Sequence, residues 1–274
     1  MYLPTEDTDT TNRLQLNDNA VDKPPVVLFL HVPKAAGNTI YSVMKEQYSE
    51  GEVFIPFKTA AENWLAIERL TDEERSRIRA VGAHMRFGAH QFFHAADYFT
   101  ILRDPVRRVV SSYCYSLGNP KDMGHKLIKD NNLDLAGFAR LPNLNNVQTR
   151  YLRKHSTSGT DWELRPHKLG FIQAPFALAD AKRTLDRCAI VGISEQLPTV
   201  LRLLEIRFGW KNIENRFENV TESEKQYPVL DDETRRIIEA ENRCDIALYR
   251  YACKLFAKQC ASYGLDIDPI PDKC

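Results

Sequence analysis

Three short apolar runs decide what this chain can fold into: "VVLFLHV" from residue 26, "DYFTILR" from residue 97 and "CAIVGI" from residue 188. Each is rich in β-branched and aromatic residues and does not alternate with polar ones, so each fits a strand covered on both faces. Strands of that kind belong to parallel sheets, whose crossovers are usually helical. The segments between them supply the helices. One is expected from about Asn38 to Gln47. "LTDEERSRIRAVGAH" reads as a helix capped at Thr71 or Asp72, with Glu73 and Glu74 in its first turn. "DPVRRVVSSYCYSL" follows the second run with Asp104 as N-cap and Pro105 at the first helical position. "NLNNVQTRYLRK" fits a short helix, "APFALADAKRTLDR" a longer one and "SEQLPTVLRLLEIRFG" a helix capped at Ser194. The terminal "DDETRRIIEAENRCDIALYRYACKLFAKQC" is helical in spacing, with Asp231 or Asp232 as cap. "GNPKDMGHKLIKDNN" and "HSTSGTDWELRPHKLG" read as loops. The expectation is a single-domain α/β fold, with a mainly parallel central sheet flanked by helices. Its ligand belongs at the carboxyl ends of the strands.

Residues 1–25 are polar and end in Pro24-Pro25, which predicts a mobile tail ahead of one domain over 26–274. The 37 basic side chains are balanced by 37 acidic ones. That balance argues against a grip on nucleic acid by bulk charge, and no such partner is expected. The first residues have no basic and apolar leader pattern, and no run approaches the ~18 apolar residues that span a bilayer. A cytoplasmic protein without membrane contact is expected. The six cysteines form no CxxC pair and no zinc spacing, so they read as reduced thiols.

A strand, a tight turn and a helix N-terminus make an anion site, because the turn presents unpaired N–H groups and the helix dipole favours negative charge. In "HVPKAAGNT" the small residues Ala35, Ala36 and Gly37 admit an anion close to the backbone. Asn38 lies beside them, Lys34 adds a mobile positive charge and Thr39 a hydroxyl. A plain strand-to-helix turn with a solvated Lys is the alternative. The loop is not the P-loop of kinases and GTPases, which needs Lys directly after the second Gly and then Ser or Thr. Nor do the ends of the second and third strands offer an evident carboxylate for a nucleotide's Mg²⁺, since Asp104 is taken up by capping.

"YFTILRDPVRRVVSSYCY" repeats the architecture: a strand, a basic residue at its end, a capped helix. Arg103 can hold a phosphate with two parallel hydrogen bonds, and Ser111 can add another donor. Arg107 and Ser111 share a helix face. The competing reading is a structural Arg103 paired with Asp104 or a neighbour. Two basic strand ends in one sheet point to a ligand with two separated anionic groups.

Together these two segments resemble the 5′-phosphosulfate loop and the 3′-phosphate motif of PAPS-dependent sulfotransferases. More narrowly they resemble sulfotransferase family 2, the group containing heparan sulfate 2-O-sulfotransferase. "GAHMRFGAH", "NVQTRYL", "IVGISEQL" and "CDIALYRYACKLF" extend the resemblance from about residue 26 to 259. It implies a P-loop-like sulfotransferase fold, with PAPS (3′-phosphoadenosine 5′-phosphosulfate) as donor, adenosine 3′,5′-bisphosphate (PAP) as product and no metal requirement. It also implies a hydroxyl- or amine-bearing carbohydrate or small-molecule acceptor. Lys34 would contact the bridging and sulfonate oxygens, the backbone of residues 35–39 the 5′-phosphate, and Arg103 with Ser111 the 3′-phosphate. His84 matches the position of the family's catalytic base. Many relatives carry Thr, Ser or Gly at the positions of Ala35, Ala36 and Asn38, so side-chain contacts there differ. A non-catalytic nucleotide-binding protein on the same fold, and a small-molecule kinase, are the competing functions.

"HQFFH" has the His spacing of a zinc-protease helix, but Gln91 stands where the general-base Glu belongs. His31, His125, His155 and His167 read as structural. The "RRVV" and "EERSRIR" charges read as solvated helix faces, and the aromatics of "YCYSL" and "ALYRYACKLF" as core.

Overall fold

A computed structural model of the chain describes residues 23–56, 59–154, 173–213 and 230–269. In order, its elements begin with β1 (Val26–Leu30), α1 (Gly37–Gln47), β2 (Val53–Phe54), α2 (Ala60–Glu68), α3 (Asp72–Arg77), β3 (Ala80–Ala83) and β4 (Ala96–Leu102). Then come α4 (Pro105–Gly118), α5 (Met123–Asp130), α6 (Leu135–Ala139), α7 (Val147–Tyr151), α8 (Gln173–Asp186), β5 (Cys188–Ile193), α9 (Leu197–Phe208), α10 (Asp232–Glu241) and α11 (Arg243–Ser262). Short 3₁₀ turns occupy Ala89–Phe92, Pro142–Leu144 and Ser194–Gln196.

The five strands form one sheet in the order β2-β3-β1-β4-β5, and every neighbouring pair is parallel. The chain therefore moves outward from β1, returns to its side as β3, and then crosses over it to β4. The carboxyl ends of β1, β3 and β4 meet where the strand order reverses, which is where an open parallel sheet holds its ligand. β1 is buried along its whole length, as its unbroken apolar run requires. Phe29 and Phe99 face each other in register on β1 and β4 and stack, with ring centroids 4.7 Å apart. Both are fully buried, and trimming either to Ala should cost about 3–5 kcal/mol.

β1, β4 and β5 stand where the apolar runs place them. The segment after α3 does not continue as helix. α3 opens with a capping box between Thr71 and Glu74, and Ile78 is already extended. "AVGA" then forms β3, fully buried between β1 and β2. Its residues are small because α1 lies on them: a Cβ on Gly82 would come within 2.9 Å of the Tyr41 ring. "DMGHKLIKD", read as loop, contains α5, which Asp122 caps by accepting from the Gly124 N–H. Its polarity is that of a helix with a single buried residue, Ile128.

α9 starts at Leu197 rather than at a Ser194 cap, since the Ser194 hydroxyl donates to Glu195 instead. The long C-terminal helical run breaks at Asn242 into α10, capped by Asp231, and α11. Arg108 is a further correction. It is 1% exposed, not solvated, and faces the fully buried Asp245 of α11 at 3.9 Å.

Cys114, Cys188, Cys244, Cys253 and Cys260 are free thiols. Among the described residues no helix is long and apolar enough to cross a membrane. The tail over residues 1–22 and the loop containing His155 and His167 lie outside the described residues.

Candidate active site at the carboxyl ends of the sheet

The turn after β1 carries Lys34 and Ala36 in the left-handed region, at φ of 68° and 60°. Non-glycine residues there cost on the order of 1–3 kcal/mol each, and they persist only where the surroundings enforce them. Ala35 between them is fully buried, and its N–H donates to the Val32 carbonyl. Ala36 then serves as N-cap of α1 without a side-chain cap, so the first N–H groups of α1, at Gly37, Asn38 and Thr39, have no partner in their own helix. Asn38 is exposed and Thr39 half-buried.

Gly37 has a reason of its own. A Cβ there would lie 1.9 Å from Nε2 of His31, because the His31 ring fills that space. The glycine admits a histidine as well as leaving the loop backbone open.

That histidine belongs to a column of rings. Phe29 stacks on Phe99, His31 stacks on Phe29 at 5.3 Å, and His84 stacks on His31 at 4.2 Å. Phe29 and His31 are two apart on one extended segment and so face the same way. Tyr41 of α1 stands edge-on to His31, with its hydroxyl 2.7 Å from Nδ1. His84 directly follows β3. Its Nδ1 lies 3.0 Å from the His31 carbonyl oxygen, which can only accept, so Nδ1 carries the proton and Nε2 keeps a lone pair. Its own carbonyl accepts from the buried Asn63 of α2. Burial lowers the His84 pKa below 6.5, opposed by its bond to the His31 carbonyl. His31 is lowered much further, first by burial and then by His84 and Lys34.

Lys34 reaches into the same end of the sheet. Its Nζ lies 4.0 Å from the centre of the Tyr115 ring of α4. Desolvation, and then the neighbouring Arg103, lower its pKa, while Asp122 and Cys114 oppose the shift. Tyr115 is 49% exposed, so this aromatic of "YCYSL" belongs to the site rim rather than the core. Tyr249 of α11, by contrast, is buried.

Arg103 directly follows β4 and points back across the site, donating from Nη1 to the Lys34 carbonyl at 3.3 Å. Its Nε lies 4.0 Å from Glu195, which follows β5. Glu195 also accepts from the Asp104 N–H and the Tyr249 hydroxyl. The third strand end thus does carry a carboxylate, one that the reading of the sequence missed. The Arg103 backbone is held by Gln148 of α7: its N–H donates to Gln148 Oε1 at 2.9 Å, and its carbonyl accepts from Nε2 at 2.8 Å. Neither Glu195 nor Gln148 carries a sequence signal, because each acts on a residue far away along the chain. Ser111 sits two turns into α4, buried but for 8% of its surface. The fold thus brings Lys34, His84 and Arg103 to one end of the sheet, with Ser111 further along α4.

"HQFFH" begins in the 3₁₀ turn Ala89–Phe92 and leaves it at the extended Phe93, with its histidines turned to separate partners, His90 Nδ1 to the Tyr98 hydroxyl and His94 Nε2 to the Lys23 carbonyl. His125 donates from Nδ1 to the Ser116 carbonyl, as a structural histidine does.

A loop of helix N–H groups with a lysine, an arginine one strand away and a histidine with an open Nε2 can bind a bis-anionic ligand and take up a proton beside it. Residues 17–132 match the model described as the sulfotransferase family. No curated protein matches the chain. Among solved structures, a sulfotransferase from Alicyclobacillus acidocaldarius is similar at 15% identity and a TM-score of 0.41, over 89% of this chain and 98% of that one. The stretch that matches the sulfotransferase family's model includes both basic strand ends and His84.

Proposed function

We propose that the chain transfers a sulfuryl group from PAPS to a hydroxyl or amine of a carbohydrate or small-molecule acceptor. The observation that carries this reading is the meeting of Lys34, His84 and Arg103 at the carboxyl ends of β1, β3 and β4. In this reading the N–H groups at the start of α1, with Ala35 and Ala36 shaping the turn and Asn38 and Thr39 at its rim, cradle the 5′-phosphate. Arg103 and Ser111 hold the 3′-phosphate.

The acceptor oxygen attacks sulfur in line as the bond from sulfur to the bridging oxygen breaks. PAP leaves, and negative charge grows on its 5′-phosphate. Lys34 and the loop N–H groups stabilise that charge. His84 Nε2 takes the acceptor's proton, and a histidine kept neutral by burial is ready to do so at neutral pH. Glu195, beside Arg103, offsets the charge of an otherwise cationic pocket before the donor arrives.

The test is transfer of label from ³⁵S-PAPS to a panel of carbohydrates, phenols, alcohols and amines, run beside ³²P-ATP with Mg²⁺. Sulfuryl transfer to any acceptor supports the reading. Phosphoryl transfer would establish a kinase instead. PAPS binding without turnover on any acceptor would favour a nucleotide-binding protein.

A further inference from the structure

Resting on that reading of the site, we propose that Gln148 is the positioning residue for recognition of the donor's 3′-phosphate, and that it acts by fixing the backbone of Arg103. β4 ends at Leu102, in register with Ile193 at the end of β5. Beyond that point Arg103 has no ladder partner, and the Gln148 side-chain amide takes that role. It accepts from the Arg103 N–H and donates to the Arg103 carbonyl, as a peptide group on a further strand would. Gln148 is fully buried, so both halves of its amide are committed to one residue.

What anchors Gln148 is the Asp245 carboxylate. It accepts from the Gln148 N–H at 3.1 Å and from both the N–H and the hydroxyl of Thr149 at 2.8 Å. Arg108 of α4 balances its charge from 3.9 Å. Asn146 adds a second tie, its Oδ1 accepting from the Cys244 and Asp245 N–H groups at the start of α11. The helix carrying Gln148 is thus fastened to α11, and through Arg108 to α4, the helix that bears Ser111.

This frame bears on the 3′-phosphate more than on the 5′ end. Gln148 touches the backbone of Arg103 and not the loop around Lys34, which is shaped by β1, α1 and the ring column and meets Arg103 through the Nη1 bond to the Lys34 carbonyl. Two parallel bonds from a guanidinium to a phosphate tolerate little displacement of its Cα. A shift of Arg103 therefore weakens 3′-phosphate binding more than it weakens the contacts at the 5′ end.

The experiment is calorimetric titration of the full chain with PAP and with 5′-AMP, which differ by the 3′-phosphate. It compares wild type with Gln148→Met, which keeps the volume, Gln148→Glu, which keeps the acceptor, and Leu152→Ala, a fully buried neighbour on the same segment. In both Gln148 variants the preference for PAP should fall by about tenfold or more, with 5′-AMP affinity changed less than about threefold. Leu152→Ala should lower the melting temperature and keep the preference. An unchanged preference in a folded Gln148 variant, or an equal loss in Leu152→Ala, overturns the positioning role. A wild-type chain that binds both nucleotides equally overturns the donor reading itself, and the proposal with it.

Discussion

The imidazole of His84 lies on that of His31, ring centroids 4.2 Å apart and planes inclined by 20°, while Nδ1 of His84 is bonded to the His31 backbone carbonyl. Two stacked imidazoles tolerate one positive charge better than two, and burial disfavours even one. Both pKa values are lowered, His31 the more strongly. The acid limb of the activity profile should therefore lie below pH 6.5, since activity is lost only as pH falls through the His84 value. Stability has the same sign. The unfolded chain takes up protons near 6.5 that the folded chain refuses, so stability is complete above that value and declines as pH drops below it. Melting curves between about pH 7 and about pH 5 should show the decline, and His31→Gln should flatten it. An undiminished slope in His31→Gln would show that His31 is not the group responsible.

Gly37→Ala should be costly although alanine is the better helix former. Its Cβ would occupy the place of the His31 ring, and overpacking of this kind costs about 1–3 kcal/mol. Thermal melting measures the loss. Pairing it with His31→Ala should return part of the stability, because the clash is then gone. Simple additivity of the two changes would contradict the contact.

Arg108 and Asp245 should behave as a buried ion pair with unequal single and double variants. Arg108→Met strands the Asp245 charge and should cost about 3–5 kcal/mol. Arg108→Met combined with Asp245→Asn should cost less than the sum of the singles, since neither charge is then left alone. Denaturant unfolding of the four chains provides the double-mutant cycle, and a coupling energy near zero would refute it.

His84→Ala and Lys34→Ala should separate chemistry from binding. Loss of a general base lowers kcat by ~10²- to 10⁴-fold, and donor affinity should hardly move, because His84 does not contact the nucleotide in this account. Lys34→Ala should impair both turnover and donor binding, as Lys34 serves the ground and transition states alike. An acceptor amine that is already neutral should soften the His84 effect. Near-normal turnover of His84→Ala on a hydroxyl acceptor would move the base elsewhere, and His90 is next in line.

Much of the architecture is legible in the chain because buried parallel strands announce themselves as unbroken apolar runs. That logic found β1, β4 and β5. It missed β3, whose "AVGA" is selected for smallness beneath Tyr41 and Met44 and so carries no β-branched pattern beyond Val81. Lys34 and Arg103 could be nominated because each sits beside a predicted strand end, a local feature, whereas His84 could be nominated only through the family resemblance, since β3 before it went unread. Glu195, Gln148 and Asp245 could not, because their meaning depends on partners that only the folded chain brings near. Asp104 and Glu195, for instance, are 91 residues apart in sequence and 3.0 Å apart from N to Oε1. The same limit explains Arg108, which resembles its solvated neighbour Arg107 until α11 supplies Asp245.

The central claim is a nucleotide held by two separate anionic groups, one at Lys34 and one at Arg103. Titration with PAP and with 5′-AMP, on wild type and on Arg103→Ala, tests it whatever the acceptor is. PAP should bind wild type far more tightly than 5′-AMP does. Arg103→Ala should weaken PAP by roughly 2–4 kcal/mol, the order expected for removing one partner of a buried charge pair, and should leave 5′-AMP nearly unaffected. Equal affinity of wild type for the two nucleotides, or an Arg103→Ala loss shared equally by both, would contradict the account.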